Sequence, residues 1–161
     1  MSTYVFLMMA TILYLVFASI TDLKERMIYT SPITFLHMAW SVYFYMNLDI
    51  SKRELVMIWI IQAAVYLIFY FIKIWGDGDT GLLLIFGDAM LASGVSMGWY
   101  GFLIKTLLFF AFGLALSIVA GKAEFHLKSM DLNRHSELAV VPGLAAVMIG
   151  LLLEGFVWRY M

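Results

Sequence analysis

Long apolar runs, separated by short polar segments, make up most of the chain. Several of these runs are near or above the roughly 20 residues that an α-helix needs to cross a bilayer. The runs are continuous, without the alternation of apolar and polar positions that a membrane β-barrel requires. The pattern therefore predicts an all-α, polytopic bundle of about six transmembrane helices, at residues 3–21, 32–46, 55–74, 80–97, 102–120 and 138–157.

Composition supports the same class of protein. Hydrophobic residues make up 64% of the chain and charged residues only 13%, whereas a soluble domain carries about 25% charged residues. The 161 residues suit one membrane-embedded domain, residues 1–161, with the lipid bilayer as its surroundings. A net charge of −1 gives no indication of nucleic acid as a partner, and the absence of cysteine excludes disulfides and thiol nucleophiles.

The basic residues between the runs predict the orientation of the helices. With the N-terminus outside, six of the ten Lys and Arg residues fall on the cytoplasmic side: Lys24, Arg26, Lys73, Lys122, Lys128 and Arg134. In this orientation Asp22, at the end of the first helix, and Asp79, at the start of the fourth, emerge at the same cytoplasmic boundary.

The two aspartates each have a local explanation. Asp22 has the spacing to pair with Arg26 one helical turn later, and Asp79 can cap the fourth helix. Together, however, they are two carboxylates at one membrane depth on different helices, and Asp79 lies in the glycine-rich stretch 75–81. Aspartyl proteolysis uses such a pair, in which one carboxylate activates water while the other polarises the peptide carbonyl. The helix dipoles favour Asp79 as the initial base and Asp22 as the initial acid.

Asp88 is the alternative partner for Asp22. It lies nine residues after Asp79, which in a helix is about 13.5 Å deeper and half a turn away. A structural role or a proton relay suits this depth better than catalysis at the boundary. His37, alone in the second span, is predicted to make a structural hydrogen bond. His126 and His135 have a spacing that matches no common metal site, so neither a metal nor a cofactor is expected.

At these positions the chain resembles the type IV prepilin peptidases, a family of membrane aspartyl peptidases that includes the preflagellin peptidases. Residues 19–28 fit the family's first aspartate and the basic stretch after it, and Gly76-Asp77-Gly78-Asp79 fits its GxGD motif. Pro142 fits a proline that often opens the last helix. Gly81 departs from the family, which usually has a lysine two places after the second aspartate.

The resemblance implies a compact peptidase without the methyltransferase segment of larger members. Asp22 and Asp79 would be catalytic, Gly76 and Gly78 would support them, and the substrate would be a prepilin-like protein with a short basic leader. The enzyme would be a multi-pass protein of the cytoplasmic membrane, cutting at its inner boundary. Two alternatives remain, a small proton-coupled transporter or channel and a catalytically inactive structural relative. The sequence leaves the oligomeric state open.

Overall fold

A computed structural model describes residues 2–25, 28–73, 75–94, 98–128 and 141–161, without the side chains of 25, 77, 98, 99 and 124–128. These residues contain no strand and form six helices: α1 Thr3–Glu25, α2 Thr30–Asn47, α3 Lys52–Ile72, α4 Asp77–Ala92, α5 Gly98–Lys128 and α6 Val141–Tyr160. The predicted all-α fold is therefore confirmed.

Four of the helices are long and apolar enough to cross a membrane, at Thr3–Lys24, Lys52–Ile72, Tyr100–Ala123 and Val141–Tyr160. Helices α2 and α4, with 18 and 16 residues, are not among these four. The number of helices agrees with the six predicted elements, and two of the six are shorter or more polar than an independent membrane span.

Helix α4 is the centre of the bundle. Helices α2, α3 and α6 pack against it, and the Phe86 ring lies 5.6 Å from the Phe110 ring of α5, measured between centroids. All but two of residues 80–93 are buried. Helix α1 packs on α2 and α6, and α5 packs on α6. Because its neighbours shield α4 from lipid, a short helix that contains aspartates is tolerated at this position.

Contacts at both ends fix the directions of the helices. The carboxylate of Asp22 binds the first residue of α6, Val141, and the Tyr4 hydroxyl donates to the carbonyl oxygen of Leu152 near the other end of α6. Helices α1 and α6 are therefore antiparallel. At the end opposite Val141, Arg159 donates to the carbonyl oxygen of the last α4 residue, Ala92, at 2.9 Å, so α4 and α6 are parallel. We call the end where α1 stops and α4 and α6 begin the carboxylate end.

Three predicted boundaries of α4 and α5 were wrong. Helix α4 stops at Ala92 rather than at residue 97, because Gly94 adopts a positive φ of 103° just after the last turn. The chain turns there, so α5 already begins at Gly98, inside the predicted turn. Helix α5 also continues to Lys128 and contains 31 residues, which gives a length of about 46 Å. Since Ser117 lies against Gly143 near the start of α6, the last turns of α5 extend beyond the carboxylate end of α6.

Candidate functional site

Asp22 links the end of α1 to the start of α6. It lies in the last turn of α1 with only 5% of its surface exposed. Its Oδ2 accepts a hydrogen bond of 3.2 Å from the backbone N–H of Val141. The first N–H groups of a helix have no partner within the helix, so Asp22 caps α6 from another element. Arg26, the partner that the local explanation required, lies outside the described residues.

Asp79 occupies the first turn of α4. The N-cap is Gly76, with an extended backbone at φ −61° and ψ 159°, which makes Asp79 the third helical residue. Free N–H groups and the positive end of the helix dipole surround a side chain at this position and favour its anion. The carboxylate lies close to the N-cap, since a Cβ on Gly76 would be 3.6 Å from Asp79 Oδ2.

The two aspartates lie at the same end and level of the bundle. Helices α4 and α6 run parallel, and Gly155 lies directly against Ala92. Thirteen residues separate Asp79 from Ala92, and thirteen separate Pro142 from Gly155, so both segments measure about 20 Å. Asp79 is therefore level with Pro142, the residue after the N–H group that binds Asp22.

The second glycine of the GxGD motif brings α4 against the segment that follows Asp22. A Cβ on Gly78 would lie 2.5 Å from the Ile28 Cβ and 2.8 Å from the Ile28 carbonyl oxygen. Only glycine allows so close an approach. Gly81, at the position where the prepilin peptidases usually have a lysine, faces α2, because a Cβ there would be 3.0 Å from Ile33 Cδ1. A side chain at this position would require the end of the Ile33 side chain to move.

The two motif glycines should therefore respond differently to alanine. Gly78→Ala forces a methyl group into backbone and side-chain atoms of Ile28, and we expect a loss of about 1–3 kcal/mol of stability, the usual cost of overpacking. Gly76→Ala is the matched control, since its backbone angles suit any residue and its Cβ meets ordinary van der Waals distances. Thermal unfolding of both variants in detergent measures the difference, and equal melting temperatures would contradict the expected crowding at Gly78.

The structure removes one argument about the roles of the aspartates. From the sequence, the C-terminal end of α1 favoured a protonated Asp22. Its carboxylate instead accepts an N–H from the N-terminus of α6, whose dipole favours the anion. Both aspartates therefore lie at helix N-termini, and the dipoles no longer distinguish the acid from the base. Which of them starts as the base stays a prediction.

Asp88 is held away from the carboxylate end. It is completely buried, and its Oδ2 lies 2.9 Å from Nδ1 of His37 on α2. This contact confirms the predicted structural hydrogen bond of His37. Asp88 Oδ1 has no hydrogen-bond partner among the described residues. Asp88 lies nine residues after Asp79 on α4, so its side chain projects from the helix about half a turn away from that of Asp79. The structure therefore separates the two carboxylates.

Three features of this region were missed by sequence reasoning. The pairings of Asp22 with Val141 and of His37 with Asp88 join distant parts of the chain, and no local pattern indicates them. Gln62 could have been identified from the sequence, because a polar residue within an apolar span is a candidate functional residue. The described residues contain no cluster of three metal-ligating side chains; His135 and the side chain of His126 lie outside that part of the chain.

Comparison of the chain with family models, with curated proteins and with solved structures gave no match. The resemblance to the prepilin peptidases thus rests on the sequence motifs alone.

Proposed function

We propose that the chain is a membrane aspartyl endopeptidase that removes a short basic leader from prepilin-like proteins. The observation that carries the proposal is the common level of Asp22 and Asp79 on separate helices at the carboxylate end. With the N-terminus outside, as the basic residues predict, the site would face the cytoplasm at the boundary of the cytoplasmic membrane.

The reaction follows from a pair of carboxyl groups that share one proton. The ionised carboxylate takes a proton from water as its oxygen attacks the peptide carbonyl, and the protonated carboxyl donates to the carbonyl oxygen. The tetrahedral intermediate collapses when the C–N bond breaks and a proton passes to the leaving amine. The two groups titrate as a coupled pair, so either aspartate can begin as the base.

The surrounding contacts fit this role. The α6 N-terminus holds Asp22 in place through Val141, and the close contact of Gly78 with Ile28 fixes the start of α4 against the segment after Asp22. Each carboxylate is thus carried by the end of a packed helix, and positioning by rigid elements is what acid–base chemistry requires.

Cleavage by the purified protein in liposomes tests the proposal. The probe is a synthetic peptide with a leader of several lysines followed by an apolar segment of about 20 residues, long enough to span the bilayer. We expect a single cut near the junction, identified by mass spectrometry. Intact peptide after prolonged incubation with folded protein, over a panel of junction sequences, would favour the catalytically inactive relative.

A proton-coupled transporter is the second candidate, and the buried His37–Asp88 pair favours it. A relay along α4 would have to pass from Asp88 to Asp79 over about 13.5 Å and around half the helix. This separation makes a relay less well supported than a pair of aspartates at one level.

The substitution Asp88→Asn distinguishes the peptidase from the proton-coupled transporter. Asp88→Asn keeps an oxygen that can accept from His37, so we expect the peptidase to retain cleavage within about a factor of ten. Asp88→Ala removes the partner of a half-buried ring nitrogen and should cost about 1–3 kcal/mol of stability. Cleavage assays and melting curves of both variants measure these effects. Loss of cleavage in Asp88→Asn without a change in melting temperature would place Asp88 in the chemistry and contradict our assignment.

A further inference from the structure

A groove opens on the side of the bundle between α3 and α5, with α4 as its floor. Its volume is about 300 Å³, and its lining includes Val65 of α3, Leu83 and Phe86 of α4, and Leu107 of α5. With 68% of its surface exposed, Leu107 borders the region that lipid would occupy. The volume admits a ridge of side chains from a helix lying along the groove rather than a whole helix.

The groove lies on the same face of α4 as Asp79. Asp79, Leu83, Phe86 and Met90 are spaced at i, i+4, i+7 and i+11, which places them on one stripe of α4. The last three line the groove, so it begins one turn beyond Asp79, about 6 Å along the axis. A chain cut at Asp79 would continue directly into it.

One wall of the groove carries an unpaired amide. The nitrogen and the oxygen of the Gln62 side chain are both buried and have no hydrogen-bond partner among the described residues. They lie against Gly87, where a Cβ would overlap the amide. The other polar side chain in the lining, Thr106, already donates to the carbonyl oxygen of Phe102 at 2.7 Å. An unpaired amide is unfavourable in hydrocarbon, and a lipid tail offers it no partner.

We propose that this groove binds the apolar helix of the substrate just beyond the cleaved bond, and that Gln62 hydrogen-bonds a polar side chain of that helix. The proposal rests on the proposed peptidase function of Asp79. To make this bond, the Gln62 amide has to turn from Gly87, which it faces in the structure, into the groove. Gly87 is eight residues beyond Asp79, or about 12 Å. A substrate helix parallel to α4 therefore presents its polar residue about eight residues after the cut.

Disulfide cross-linking tests the groove, because the chain contains no cysteine. Leu107→Cys places a thiol at the groove, and Leu108→Cys is the matched control, exposed to 65% on the same helix but outside the lining. Both are made in an Asp79→Asn background, which keeps the probe uncut. The probe is the lysine-leader peptide with a Leu/Ala helix and one cysteine ten residues after the junction. This position is level with Leu107, because Phe110, three residues later on α5, contacts Phe86 of α4.

We expect Leu107→Cys to form the disulfide at least about fivefold more than Leu108→Cys, because a disulfide needs Cα atoms within about 7 Å. Equal yields, or a preference for Leu108→Cys, would overturn the proposal and indicate a groove filled by lipid. The readout does not depend on cleavage. If the protein fails to cleave but cross-links through Leu107→Cys, the peptidase proposal is wrong and the groove proposal stands. If it cleaves but does not cross-link, only the groove proposal is wrong.

A second comparison tests Gln62. Two probes differ only in serine or leucine eight residues after the junction, and each is cross-linked through Leu107→Cys. With Gln62 present we expect serine to be favoured about three- to fifteenfold, the range for one hydrogen bond between helices in a membrane. Gln62→Leu should remove the preference while leaving the melting temperature unchanged or higher. A serine preference that persists in Gln62→Leu would show that another group recognises the substrate.

Discussion

Asparagine in place of Asp79 or of Asp22 should slow cleavage of a leader-bearing substrate by about 10²- to 10⁴-fold, the contribution of a general acid or base. Both substitutions keep the size of the side chain and remove its ability to exchange a proton. At position 22 the amide oxygen can still accept from the N–H of Val141, so the start of α6 should stay in place. Single-turnover cleavage of the lysine-leader peptide in liposomes measures the rates.

The double variant gives the sharpest form of this prediction. Groups that act as one unit show strongly non-additive losses, so Asp22→Asn combined with Asp79→Asn should be no slower than the slower single variant. Melting temperatures close to that of the unchanged protein serve as the folding control. Near-normal cleavage by Asp22→Asn would refute its catalytic role, and fully additive losses would mean that the two aspartates act in separate steps.

Alanine in place of Gly155 should strongly destabilise the bundle. A Cβ at this position would overlap the carbonyl oxygen of Ala92 and come within 2.6 Å of the Tyr4 hydroxyl. Because the main obstacle is backbone, a change of rotamer cannot relieve it, and we expect a loss near 3 kcal/mol, the upper part of the range of about 1–3 kcal/mol for overpacking. Thermal unfolding followed by tryptophan fluorescence measures this loss.

Gly150 provides the control on the same helix. A Cβ on Gly150 would meet nothing within 4 Å, and alanine is favoured over glycine in a helix by about 1 kcal/mol. Gly150→Ala should therefore melt at the same temperature as the unchanged protein or higher. Similar melting temperatures for the two alanine variants would contradict the close contact between α4 and α6.

The sequence predicted the class and the number of elements because both depend on local composition. Continuous apolar runs of sufficient length can only be helices in a membrane, and this was enough to predict six of them. It was also enough to predict Asp22 at the end of α1 and Asp79 at the start of α4, since polar residues between apolar runs mark boundaries. The boundary at Ala92 was missed because it depends on the left-handed backbone conformation of Gly94. The sequence contains several glycines in this region and does not show which of them adopts that conformation.

The contacts that define the site depend on packing and were not predicted. Nothing near Asp22 indicates that its partner is Val141, more than a hundred residues away. The direction of Gly78 towards Ile28 follows from how α4 enters the bundle. The dipole argument for Asp22 failed for the same reason, since it considered the helix that carries the residue and omitted the helix that faces it.

The enclosure of α4 has a consequence for how the protein is made. On the ribosome, α4 emerges before α5 and α6, so at that stage no α6 covers the side of α4 that holds Ala92. An aspartate at the centre of a membrane helix costs about 2.5–3.5 kcal/mol on the translocon insertion scale, and α4, which carries Asp88, has only 16 residues. We expect released chains that end at residue 94 to leave α4 accessible to protease, and chains extended through α6 to protect it. Helix α6 would thus complete the membrane insertion of the helix that carries Asp79.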